Sequence, residues 1–138
     1  MNKQSGFTLI EIMVVVVVIA MLGAMIAPTI FSKVQQAQET RIAQDIRTIE
    51  SALKFYRLDN FRYPTGTQGL QALFEAPQGE NNWKGPYLEA VPLDPWGSEY
   101  RYANPGRHGK EIDIYTFGAD EQEGGEGPAK DWGNWNIQ

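Results

Sequence analysis

Residues Phe7 to Phe31, "FTLIEIMVVVVVIAMLGAMIAPTIF", are nearly all apolar, and Ile12 to Ala27 holds no charged or hydrogen-bonding side chain. The run is about as long as the roughly 20 residues a bilayer core requires. Val14 to Val18 is β-branched, a weak helix former in water. In lipid the backbone must satisfy its own hydrogen bonds, so a membrane setting makes this segment helical. The competing readings are a buried core helix and an ordinary signal peptide cut after "GAMIA". Charge does not settle topology, because Lys3 stands on one side and Lys33, Arg41 and Arg47 on the other.

Glu11 is the anomaly in this segment. An acid at the centre of a membrane helix costs about 2.5–3.5 kcal/mol, and less near an end. Either Glu11 lies close enough to the boundary to reach water, or it awaits a positive partner. A cut between Gly6 and Phe7 would create an α-amino group four residues away. A carboxylate in a first helical turn is also favoured by the helix dipole. In a packed array, the acid of one subunit would then meet the amine of the next.

The rest of the chain must fold with little apolar material. At 138 residues the protein is within the size of one domain, and cysteine is absent, so no disulfide can staple it. Metal binding or self-association remains as the staple. A net charge of -5 argues against nucleic acid, whose phosphates need a basic face.

From Ser32 to Leu58 the pattern is amphipathic, with Ile42, Ile46, Ile49, Leu53 and Tyr56 recurring at helical spacing. Glu50 and Lys54 stand as an i,i+4 pair on another face. Only Pro28 interrupts the path from the apolar run, so one helix of about fifty residues, roughly 75 Å long, is expected to end near "DNFRYP". Beyond residue 60 lie twelve of the fourteen glycines and seven of the eight prolines. There "GLQALFEAP" predicts one or two helical turns, with Leu70, Leu73 and Phe74 on one side. The segments "YLEAV", "SEYRYA" and "EIDIYTFG" predict strands of a small antiparallel sheet packed on the helix stripe. The fold class is therefore α+β.

The stretch "GADEQEGGEGPAKDWGNW" has five acids and one base between Asp120 and Asp131. It is either a solvated acidic loop or a calcium site, since hard cations want several oxygens and glycines let carbonyls turn inward. Asp120, Gly125 and Asp131 stand at positions 1, 6 and 12 of an EF-hand-like span. Gln122 and Gly124 occupy positions 3 and 5, and no exit helix follows, so the EF-hand reading fails. A looser cation loop survives, and it would supply the staple.

"GFTLIEIMVVVVVIAMLGAMIAP" resembles the N-terminal signature of type IV pilins and pseudopilins. The resemblance implies a leader of residues 1–6, removed after Gly6 by a prepilin peptidase that N-methylates Phe7. It implies that residues 7–31 anchor the chain in a Gram-negative inner membrane before forming a filament core, that Glu11 serves assembly, and that residues 32–138 form a periplasmic domain. Gly23 and Pro28 both weaken a helix, Pro by about 3 kcal/mol in an interior. They mark either a tolerated kink or, as the resemblance implies, a stretch that melts or bends on assembly.

"YPTGTQGLQALFEAP", "WKGPYLEAVPLDPWGSEYRYANPGRHG" and "YTFGADEQEGGEGPAKDWGNW" are similar to the G-type major pseudopilins of type II secretion systems. That resemblance implies a homopolymer working with minor pseudopilins and an inner-membrane assembly platform to export folded proteins. It also implies calcium in the C-terminal loop, held by the Asp120 and Asp131 side chains and by the Phe117 and Gln122 carbonyls. Lys130 and Trp132 flank Asp131 where the family often has a small or acidic residue and an aliphatic one.

No catalytic constellation is legible. His108, the only histidine, sits in the turn "PGRHGK", which favours an exposed turn residue over a base, and no enzyme is expected. Two rival functions remain at this level. A type IV pilus subunit for adhesion or motility would share the N-terminus, and a soluble periplasmic calcium module would follow ordinary signal cleavage near Ala27.

Overall fold

The computed structural model describes residues 6–137, so of the expected leader only Gly6 lies within the described residues. A single helix, α1 (Leu9–Asn60), runs for 52 residues and is unbroken at Gly23 and Pro28. Pro28 has no N–H to donate to the Ala24 carbonyl, so this position lacks one rung of the helical ladder. Two compact units divide the chain, Met1–Gln36 and Ala37–Gln138.

In the first unit, every residue from Gly6 to Val34 is exposed. The helix here is long and apolar enough to cross a membrane. Among the described residues nothing covers it, so its apolar side chains need lipid or other subunits around them.

The second unit is built on the stripe read from the sequence. Ile42, Ile46, Ile49, Leu53 and Tyr56 are all fully buried. At roughly 1.5–3 kcal/mol per large apolar side chain, this stripe is the main source of the unit's stability. It packs in one cluster with Leu70 and Leu73 from a turn of 3₁₀ helix (Leu70–Leu73), and with Tyr100, Ile112 and Ile114. Phe74 is only partly covered. Glu50 and Lys54 form no ion pair among the described residues. Instead Glu50 Oε1 accepts a bond from Asn134 Nδ2 at 3.3 Å, which ties the helix to the C-terminal segment.

Three short strands, β1 (Arg101–Ala103), β2 (Asp113–Thr116) and β3 (Trp132–Gly133), form an antiparallel sheet in that order. The two predicted strands "SEYRYA" and "EIDIYTFG" supply β1 and β2, the first trimmed at its N-terminal end and the second at both ends. "YLEAV" is not a strand. The Tyr87 and Leu88 N–H groups both bond to the Leu73 carbonyl, at 2.7 and 3.2 Å, and Pro86 and Pro92 flank the segment. With its first amides directed at Leu73 and proline at either side, it has no ladder to join. β3 lies in the stretch expected to be irregular. Gly133 makes it possible, because a Cβ there would stand 2.2 Å from the Trp135 ring.

Candidate functional site

The N-terminal site begins one residue before α1. Thr8 N–H donates to Glu11 Oε2 and Glu11 N–H donates to Thr8 Oγ1, both at 3.3 Å. This is a reciprocal capping box, which satisfies two of the four amide donors that every helix start leaves open. The Thr8-x-x-Glu11 spacing is the sequence signal for it. Glu11 therefore has a structural task in the chain itself. Glu11 is exposed, as are Gly6 and Phe7. The acid, the expected scissile step and the first helical turn are thus side by side.

The C-terminal loop crosses itself closely. It holds two 3₁₀ turns, Gly118–Asp120 and Gly127–Ala129, with Glu121 in the left-handed region between them. A Cβ at Gly118, whose φ is +74°, would lie 2.6 Å from the Pro128 carbonyl oxygen, so only glycine allows the approach. Asp120 Oδ1 accepts the Gln122 N–H at 3.2 Å, and Asp131 Oδ2 accepts the Gly124 N–H at 2.8 Å. Asp131 Oδ1 is buried and has no hydrogen-bond partner.

Of the four expected calcium ligands, Phe117 and Asp131 line one cavity of about 90 Å³. Asp120 and Gln122 are exposed and outside its lining. Among the described residues no group of three acidic, histidine or cysteine side chains is placed to hold a metal ion, so a cation here must draw most of its oxygens from the backbone. The orphaned carboxylate oxygen and the glycine-rich crossing fit that donor chemistry. Lys130 does not compete for Asp131, because its ammonium lies over the Trp132 ring, 4.2 Å from the centroid.

His108 is exposed and sits in a bend, as its sequence context implied, and it is held there by two partners. Its Nδ1 lies 2.8 Å from Asp113 Oδ2, and its ring stacks on Trp135 with centroids 3.6 Å apart. Asp113 Oδ2 also accepts the Arg107 N–H at 2.6 Å. Asp94 is a second buried acid, fully used: it accepts from the Trp96 and Ser98 amides and from the Thr116 hydroxyl. Neither buried acid was singled out in the sequence, where each sits among turn or strand residues with no periodic signal.

Residues 29–135 match the family described as type II secretion system (T2SS), protein G, and residues 1–27 match the prokaryotic N-terminal methylation motif. The chain belongs to the type II secretion system protein G family. It is 47% identical to the type II secretion system core protein G of Vibrio cholerae serotype O1, covering 100% of this chain and 96% of that one. Against the core protein G of Pseudomonas aeruginosa the identity is 49%, over 98% and 97% of the two chains. The crystal structure of the major pseudopilin from the type 2 secretion system of enterohaemorrhagic Escherichia coli superposes with a TM-score of 0.67 at 38% identity. That match covers 77% of this chain and 93% of that one.

The stretches that resembled protein G have local physical tasks. In "TGTQ", Thr65 N–H donates to Gln68 Oε1 at 2.8 Å and Gln68 N–H donates to Thr65 Oγ1 at 3.2 Å, a cap ahead of the Leu70–Leu73 turn. In "DPWG", the Gly97 N–H closes a turn on the Asp94 carbonyl at 3.0 Å, with proline second and a glycine of φ +90° last.

Proposed function

We propose that this chain is the repeating subunit of a type II secretion pseudopilus, the periplasmic filament that drives folded proteins across the outer membrane. The observation that carries the reading is an apolar helix, uncovered by any of the described residues, with one acid in its first turn. A prepilin peptidase removes residues 1–6 and methylates the amine of Phe7. The chain then waits in the inner membrane with its second unit in the periplasm, until the assembly platform adds it to the filament alongside minor pseudopilins. Glu11 aligns the incoming subunit by meeting a neighbouring N-terminal amine. The region around Gly23 and Pro28 absorbs the change of helix geometry on entry. The family is structural, and no catalytic step is assigned to the chain.

Calcium is the staple of the C-terminal loop in this reading. Asp120 and Asp131 hold it with the Phe117 and Gln122 carbonyls, and its charge stabilises a loop that carries excess acid. The orphaned Asp131 Oδ1 supports this.

The experiment is complementation of a strain that lacks the chain. Wild type restores secretion, whereas Glu11→Ala is cleaved normally, shown by an intact mass lacking residues 1–6 and carrying one methyl group, yet forms few filaments. Normal filament yield from Glu11→Ala would overturn the pairing account. A mature chain beginning near residue 28 would overturn the pathway.

A further inference from the structure

Among the described residues of the second unit, the exposed large apolar side chains are Phe55, Leu58, Phe61 and Leu93. The first three recur at intervals of three where α1 ends, with Phe55 and Leu58 on the face opposite the buried stripe. The charged residues beside them are drawn to partners in their own unit: Arg57 to Glu111 at 2.7 Å, Asp59 to Lys84 at 3.5 Å, and Arg62 to Glu80. An apolar centre inside a neutralised polar rim is the make-up of a contact surface. Phe61 sharpens the point. Its φ of +60° is a left-handed conformation that a bulky residue rarely adopts, yet its ring is 84% exposed. Asn60 fixes the turn before it, donating to the Tyr56 carbonyl at 3.0 Å. An aromatic side chain kept in a strained conformation and outside its own core points to a task beyond the chain.

Leu93 stands towards the other end of the unit's helix. Its carbonyl accepts Arg41 Nη2 at 3.0 Å, and about 25 Å of α1 separates Arg41 from Leu58. We propose that the Phe55, Leu58 and Phe61 patch of one copy receives Leu93 of a second copy displaced along the α1 axis. The inference rests on the reading of this chain as a filament subunit, and it assigns to that filament a contact between second units. Such a contact is head-to-tail: each copy keeps one patch and one Leu93 unused, so the contact propagates instead of closing into a pair. The three side chains offer about 300–400 Å² of apolar surface, roughly half of what one partner gives to a freestanding interface. The patch therefore does not hold two detached copies together, and it acts where the uncovered apolar part of α1 is packed against other copies as well.

The chain has no cysteine, so Phe61→Cys combined with Leu93→Cys allows one kind of engineered cross-link between those positions. Within one chain the two sites are much further apart than the Cα separation of about 7 Å that a disulfide tolerates, so a bond joining residues 61 and 93 forms between copies. In a strain lacking the native chain, oxidised filaments of the double variant are expected to give a ladder of covalent multimers on a denaturing gel. Neither single variant gives a ladder, and the double variant dispersed in detergent micelles gives none. Phe61→Gly and Leu93→Ser are each expected to lower filament yield about tenfold, the scale of losing a buried anchor. Together they cost little more than either alone, because both break the same contact. Phe61→Gly melts no lower than wild type in detergent, which separates lost assembly from misfolding.

Filaments of the double cysteine variant that give no ladder would overturn the proposal. Cross-linked dimers from Phe61→Cys alone would overturn it too, because the patch would then meet its own copy in a closed pair. Full filament yield from Phe61→Gly, or losses that simply add, would do the same. If wild type forms no filaments, the subunit reading itself fails and this contact falls with it.

Discussion

At the scale of single residues, the chain spends its special conformations at element ends. Phe61 follows the last residue of α1 with φ +60° and is 84% exposed. A left-handed conformation costs a side-chain-bearing residue about 1–2 kcal/mol, and this position after a helix is one where glycine is commonly found. Phe61→Gly is therefore expected to raise stability by about 0.5–1 kcal/mol, net of the entropy glycine adds to the unfolded chain. Thermal unfolding of the full chain in detergent measures it. A lowered melting temperature would mean that the exposed ring makes contacts that matter. The two caps, Thr8 with Glu11 and Thr65 with Gln68, were both readable from a threonine followed three residues later by Glu or Gln. The buried acids Asp94 and Asp113 were not, because a carboxylate's burial depends on which amides the turns around it happen to present.

At the scale of elements, α1 was the most legible part of the chain. Its apolar positions recur at 3.6-residue spacing, and each member of the predicted stripe is fully buried. Ile49→Ala should cost about 2–5 kcal/mol by leaving a cavity that a rigid helix cannot close. A chemical denaturation midpoint that falls without a change in slope would show it. The strands were legible only in part. β1 and β2 have alternating β-formers, yet "YLEAV" has them too and is drawn off by the Leu73 carbonyl. β3 is two residues long and has no pattern, and its existence depends on the close approach of Trp135 to Gly133.

At the scale of the molecule, the second unit has a distinct alkaline limit. Burial, with Asp45 alongside, pushes the Tyr100 hydroxyl far above its ordinary value near 10, and burial does the same to Tyr102. The folded chain therefore keeps both phenols protonated where the unfolded chain would ionise them. Their contribution is intact below pH 10 and is lost as pH rises beyond it. Tyrosinate absorbance from these two residues should appear together with unfolding rather than before it. Chelation is the second global test of the calcium reading. Calcium at 100 times its dissociation constant would add about 2.7 kcal/mol, so removing it should lower the melting temperature and speed proteolysis of the loop. An unchanged melting curve would remove calcium as a staple.

The sequence by itself determined the apolar anchor, its first-turn acid, the helix stripe and the family, because each depends on local spacing along one chain. Only the tertiary structure decided the strand pairing, the diversion of Glu50 to Asn134, and the burial of Asp94 and Asp113. Those depend on residues 10 to 84 positions apart, whose approach is set by how the loops cross and leaves no periodic trace in the sequence.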